Sequence, residues 1–208
     1  MVRQRSFQQL RACAMNSNDA RWRYVREILD RGRKSTGHFG IASVDSDGMP
    51  NITPVGTVFF RDDCTGFYFD QYTSALARNL DTNPHLCLIS VDRGSLFWFR
   101  SLLRGRFIGA PGVRLYGTAG ARRLASEAEL EQVRRRVRPM RLLEGGRLLW
   151  SDFTHVRDID FSSARLVRYP VMMSHLCQEE SVSFIDRGDA PGSATQPPPT
   201  RYKRIATT

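Results

Sequence analysis

Residues 67–84, FYFDQYTSALARNLDTNP, constrain the fold more than any other stretch of this chain. An aromatic strand pattern runs into Tyr72-Thr73-Ser74 with no room for a loop. A short helical pattern over 73–82 follows, with Arg78 one turn along and Asn83-Pro84 to end it. A turn this sharp leaves the first amides of the helix facing outward, where the macrodipole favours negative charge. Hydroxyls and a cation converge on the same place. The segment reads as an anion site at a helix start, and a phosphate-bearing cofactor is the first expectation.

Short β arms surround this segment. Residues 18–31 carry Trp22, Val25, Ile28 and Leu29 at helical spacing. The stretch 37–60 reads as a hairpin about Asp47-Gly48, a strong tight-turn pair. A second turn at 62–66 leads to the aromatic strand, and HLCLISVD (85–92) reads as a buried strand containing Cys87 as a small hydrophobe. Residues 94–112 fit either a strand extended into a loop or a short interfacial helix. VRLYGTAGARRL (113–124) alternates as a strand. The helix after it opens on Ser126-x-x-Glu129, a capping box, and ends on an arginine run from Arg134 to Arg141. Residues 140–152, with Trp150, read as a connection, and 154–171 as a last pair of strand arms. Antiparallel strands with inserted helices predict a mainly β fold with flanking helices, a small barrel with helices at its openings. The domain spans 18–185, after a flexible segment 1–17 and before a Pro/Ser/Thr-rich tail, 186–208, expected to be disordered.

The net charge of +10 raises nucleic acid or an acidic membrane as partners. Much of the excess lies in the 134–141 run, where acids precede arginines along one helix, so a solvated helix end explains it. Nucleic acid stays a minor reading. No apolar run approaches membrane-span length, and no membrane partner is expected. Cys13, Cys64, Cys87 and Cys177 form no Cys-x-x-Cys pair. Reduced thiols in a cytoplasmic protein are the simplest reading. His38, His85, His155 and His175 are scattered, and no metal site is expected.

Taken together, VDSDGMPNITPVGTVFF, GFYFDQYTSALARNLDTNP, HLCLISVD and VRLYGTAG resemble the pyridoxamine 5'-phosphate oxidase-like family of FMN-binding split barrels. The strongest element is Ser74-x-x-x-Arg78-Asn79-Leu80 followed by Asn83-Pro84. The resemblance covers roughly residues 25–170. It implies an antiparallel split β-barrel and a homodimer that holds two FMN molecules at the subunit interface. Pro54, Val55, Gly56 and Thr57 would lie along the isoalloxazine ring through their backbone. Gln71, Tyr72, Thr73 and Ser74 would face the ribityl chain and phosphate, Arg78 would reach the same phosphate, and Asn79 would hold the turn or the phosphate. Trp98 joins the set as a ring that would stack on the flavin from the partner subunit; packing in a dimer core is the commoner use of such a cluster. The chain departs from the oxidases proper at Ala75-Leu76, where they carry two cations, and it lacks their C-terminal Arg-Leu-x-x-Arg segment.

No nucleophile motif is present, and no catalytic side chain is assigned. The expectation is a flavin-dependent oxidoreductase acting on a small-molecule substrate, its chemistry carried by FMN. Deazaflavin, FAD, haem or an empty site are the cofactor alternatives. A flavin- or haem-binding split-barrel protein without turnover is the alternative function. Arg114 and Arg157 are candidates for a substrate anion or for salt bridges within the strands. Asp158 and Asp160 suggest pairing with neighbouring arginines.

Overall fold

Alternation along FGIASV sends Phe39, Ile41 and Ser43 inward and leaves the residues between them half-exposed. This two-residue rhythm, repeated strand by strand, makes one face of a sheet apolar and requires that the sheet curl around it. The computed structural model describes residues 18–71, 73–139, 144–149, 152–169, 171–174 and 182–184. Segments 1–17 and 186–208, along with Tyr72, Trp150, Cys177 and His175, lie outside the described residues.

The strands are β1 (Phe39–Val44), β2 (Pro50–Val55), β3 (Val58–Phe60), β4 (Thr65–Phe69), β5 (His85–Val91), β6 (Gly112–Leu124), β7 (His155–Leu166) and β8 (Val182–Ser183). The helices are α1 (Asn18–Thr36), α2 (Ser74–Thr82), α3 (Ser95–Leu103), α4 (Glu127–Val137) and α5 (Glu144–Leu149). Every described pairing is antiparallel, in the order β2-β1-β5-β6-β7-β4-β3, with β8 added to β7. The outermost strands, β2 and β3, are consecutive in sequence and joined only by Gly56 and Thr57. A two-residue link cannot cross a flat seven-strand sheet, so the sheet closes on itself and its edges meet at that link. This is a split β-barrel.

The interior is filled by Phe39, Ile41, Val58, Tyr68, Leu88, Leu115 and Ile159, with Trp22, Ile28 and Leu29 of α1 and Leu76 of α2. A smaller second core lies on the other face of β4. There Phe59, Phe67, Phe69 and Val156 meet Val133 and Val137 of α4.

Several elements differ from the sequence expectation. Helix α1 continues past residue 31 to Thr36, because Gly32 is a packing contact and not a stop. A Cβ there would lie 2.0 Å from Ser90 Oγ. The 37–60 stretch is a true hairpin only through β1 and β2, where Asp45 Oδ1 accepts the amides of Asp47 and Met49 and Gly48 takes φ +83. After Gly56 the chain leaves that hairpin, and β3 pairs with β4 instead. Residues 95–103 are helix α3, with Phe97, Trp98 and Ser101 turned inward and Leu96, Phe99, Leu102 and Leu103 exposed. The expected connection 140–152 contains α5. The expected last pair of arms is the single twelve-residue strand β7. Strand β5 alternates, so Cys87 is half-buried and not in the core.

The capping box forms as read: Ser126 Oγ accepts the Glu129 amide, and a Glu129 carboxylate oxygen accepts the Ser126 amide. The same carboxylate takes hydrogen bonds from Arg123 (2.7 and 2.9 Å) and Arg61 (3.1 Å). Asp158 completes the network with Arg61 at 2.8 Å and Arg123 at 2.5 Å. Asp158 thus pairs as expected; Asp160 is exposed. Arg123 and the cap hold the Glu129 carboxyl well below its ordinary value of 4.5, at about 2. A carboxylate depressed on folding stabilises the fold above its unfolded value and ceases to do so as pH falls toward its folded one. Thermal stability should therefore fall as pH is lowered from 4.5 toward 2. Glu129→Gln keeps the capping box but loses the charge. It should flatten that part of the melting-temperature profile and cost about 2 kcal/mol at neutral pH in a denaturant titration.

Candidate functional site

The site grows from the end of β4. Phe67 and Phe69 face α4 while Tyr68 faces the barrel, so the strand is locked on both sides as it reaches Asp70. The Asp70 amide donates to the His155 carbonyl at 3.0 Å, the last backbone bond before the turn. Thr73 then precedes the helix with φ −108 and ψ 40, and its carbonyl accepts the Ala77 amide at 2.8 Å. Its hydroxyl donates to Asp70 Oδ1 and does not cap α2, and no side-chain cap of the helix start is seen among the described residues. The amides of the first turn are thus left to another acceptor. Ser74 and Arg78 are exposed, and Arg78 has no ion pair among the described residues. Gln71 is half-buried, with its Oε1 buried and lacking a partner.

The underside of α2 fixes its position. Leu76 (0% exposed) and Leu80 (3%) enter the barrel core. Leu76 therefore occupies a place where a charge would be buried among apolar groups, which accounts physically for the departure from the oxidases at this position. Asn79 is buried and donates from Nδ2 to Ser43 Oγ of β1 at 3.0 Å. It anchors the helix to strand β1.

Pro54 to Thr57 sit where the two edges of the sheet meet. Pro54 is exposed on an edge strand, where its missing N–H breaks no ladder. Val55 is a core residue (4% exposed). A Cβ on Gly56 would meet the Gly37 carbonyl at 3.3 Å, so its smallness serves close packing on that side. The Thr57 carbonyl accepts the Phe69 amide at 3.3 Å, tying this link to the strand that leads into the Thr73 turn. Trp98 lies elsewhere. Its Nε1 donates to the Asp92 carbonyl at 2.6 Å, and its ring meets Phe97, Phe107 and Tyr169, none of them in the Pro54–Thr57 or Gln71–Asn79 segments.

Three further residues shape this region, and of these only Arg157 is marked by the sequence. Asp70 closes the turn. Arg157, 2% exposed, bridges it to the helix, donating to Asp70 Oδ2 at 3.0 Å and to Asp81 Oδ1 at 2.7 Å. Arg157 therefore falls on the salt-bridge side of its two expected roles. Arg136 corrects the reading of the arginine run as wholly solvated. Arg134 and Arg135 do pair with Glu127 and Glu131, at 2.6 and 2.9 Å. Arg136 instead lies 3.6 Å from the centre of the Phe59 ring and donates to the carbonyls of Val58 and, at 3.4 Å, Gly56. Burial lowers its pKa to about 10. No spacing rule distinguishes it from its neighbours. Among the described residues, no group of His, Cys, Asp and Glu is placed to hold a metal ion, and no helix is long and apolar enough to cross a membrane.

The sequence model for pyridoxamine 5'-phosphate oxidase matches residues 29–159, which take in the hairpin, the seam and the whole of α2. The chain belongs to this family. No curated protein sequence matches it. Among solved structures it is similar to HupZ of Group A Streptococcus, at 20% identity over 68% of this chain and 92% of that one, with a TM-score of 0.46. It is similar to an FMN-binding protein from Syntrophomonas wolfei subsp. wolfei, at 13% identity over 70% and 89%, TM-score 0.46. It is also similar to HutZ, the haem storage protein of Vibrio cholerae, at 15% identity over 66% and 89%, TM-score 0.41.

Asn79→Ala should leave Ser43 without its buried partner and cost about 1–2 kcal/mol, read as a fall in melting temperature. Ser43→Ala made in the Asn79→Ala background should cost markedly less than Ser43→Ala alone.

Proposed function

We propose that this chain binds FMN between the start of α2 and the Pro54–Thr57 seam, and that it works as a cytoplasmic, homodimeric, flavin-dependent oxidoreductase on a small-molecule substrate. The observation that carries this reading is the helix start: first-turn amides with no side-chain cap, beside an exposed Ser74 and an exposed Arg78 with no ion pair, among the described residues. Ser74 and Arg78 stand one helical turn apart, so a hydroxyl and a guanidinium reach one anion together. Membership of the pyridoxamine 5'-phosphate oxidase family makes the phosphate of FMN the fitting anion. FMN, when bound, supplies hydride and electron transfer. The chain's own residues bind and orient. Thr73 closes the turn on Asp70, leaving the amides and Ser74 to donate, while Gly56 and Thr57 offer backbone at the seam. The exposed apolar arc of α3, Leu96, Phe99, Leu102 and Leu103, supports association with a second copy.

A second reading has its own observation. The phosphate clamp is thin, because Leu76 is core and the Thr73 hydroxyl is already donated to Asp70. That favours a flavin- or haem-binding protein without turnover. Spectra taken with and without a nicotinamide reductant separate the two readings, since only the enzyme bleaches its flavin.

Purified protein should be yellow and should release FMN on denaturation, identified by mass. Arg78→Ala should weaken FMN binding about tenfold to a hundredfold, measured by quenching of flavin fluorescence. A colourless protein that takes up no added FMN, riboflavin or deazaflavin would refute the flavin assignment.

A further inference from the structure

We infer that Arg157 is a positioning residue for the anion site, setting the start of α2 by bridging the two ends of the segment that contains it; the inference rests on the flavin-phosphate reading above. Arg157 is the third residue of β7, directly opposite Tyr68 of β4, and is 2% exposed. A guanidinium in a barrel interior persists only where its donors are matched. Here Nε donates to Asp70 Oδ2 at 3.0 Å, Nη2 to Asp81 Oδ1 at 2.7 Å, and Nη1 to the Gly120 carbonyl at 3.4 Å. Asp70 precedes the helix and Asp81 lies in its last turn. One planar, rigid fork therefore fixes both ends of the segment from the turn to the end of α2 relative to the barrel wall. Asp70 passes this constraint on through its other oxygen, which accepts the Thr73 hydroxyl.

Asp81 carries the argument further. A carboxylate in the last turn of a helix opposes the macrodipole, and a neutral or cationic residue would serve the helix better. Its presence is explained by Arg157. Charge balance points the same way. Asp70 and Asp81 would repel a phosphate held nearby. Arg157, with Arg122 Nε 3.7 Å from Asp70 Oδ2, cancels them and leaves the helix amides and Arg78 to set the sign of the site.

The test compares FMN affinity with the melting temperature of the FMN-free full-length protein. Asp81→Asn is the informative variant, because Asp81 is 64% exposed and its loss leaves Asp70 paired. Its side-chain carbonyl can still accept one hydrogen bond from Arg157 Nη2 at this exposed position, so the melting temperature should change little, while FMN binding weakens by about fivefold to tenfold. Arg157→Lys keeps the charge but has no fork to span both carboxylates. It should weaken FMN binding by a similar factor, and adding Asp81→Asn to it should weaken binding little further. Asp81→Asn that binds FMN like the unaltered protein would overturn the inference and leave the flavin reading standing. So would affinity that falls only in step with melting temperature, the mark of a merely structural pair. Unaltered protein that binds no FMN would overturn both.

Discussion

The link of two residues between β2 and β3 is the constraint on which the rest depends. Because Gly56 and Thr57 are all that joins the outermost strands, those strands must lie side by side without sharing a ladder. The sheet then has a closed interior and an open seam. Helix α1 fills the interior with Trp22, Ile28 and Leu29, and α2 adds Leu76 and Leu80. The seam is left with backbone groups that belong to no strand pair, beside the turn that leads into α2. A closed barrel would offer no such place, and a flat sheet would not bring residue 57 to the carboxyl end of β4.

Around that seam, charge is handled in pairs. Glu129 and Asp158 neutralise Arg61 and Arg123 on one side of the sheet. Asp70, buried, and Asp81, exposed, neutralise Arg157. Arg78 and Arg136 are two arginines without a carboxylate partner among the described residues, and they differ in kind. Arg136 spends its donors on backbone carbonyls, whereas Arg78 is exposed to solvent. The formal excess of positive charge thus says little by its size. What matters is which guanidinium remains available, and beside which free amides.

Much of this was legible from residue order. The hairpin about Asp47-Gly48, the helix on Trp22 to Leu29, the capping box at Ser126 and the sharp passage into α2 are all set by neighbours in sequence, so local rules find them. The register that places Arg157 opposite Tyr68 is not local. It depends on the β4–β7 pairing, which no spacing announces, and so an interior arginine looked like any strand arginine. Helix α3 was ambiguous for a different reason. Its apolar residues fall on both arcs, one packed inward and the other exposed, so neither a two-residue nor a helical rhythm stands out. Asn79 stands out by its place after Arg78, but its partner Ser43 lies 36 residues away on β1, and only the fold joins them.

Arg136 has a consequence beyond the site. An open seam leaves two strands with unsatisfied edges, and such edges invite pairing with other chains. Strand β3 is only three residues long. The carbonyls of Gly56 and Val58 are taken by one guanidinium held against the Phe59 ring. An intruding strand would have to displace a cation seated on an aromatic face before it met an acceptor. The price of leaving a barrel open for a ligand is a standing risk of polymerisation, and here a single arginine blocks the shorter of its two edges.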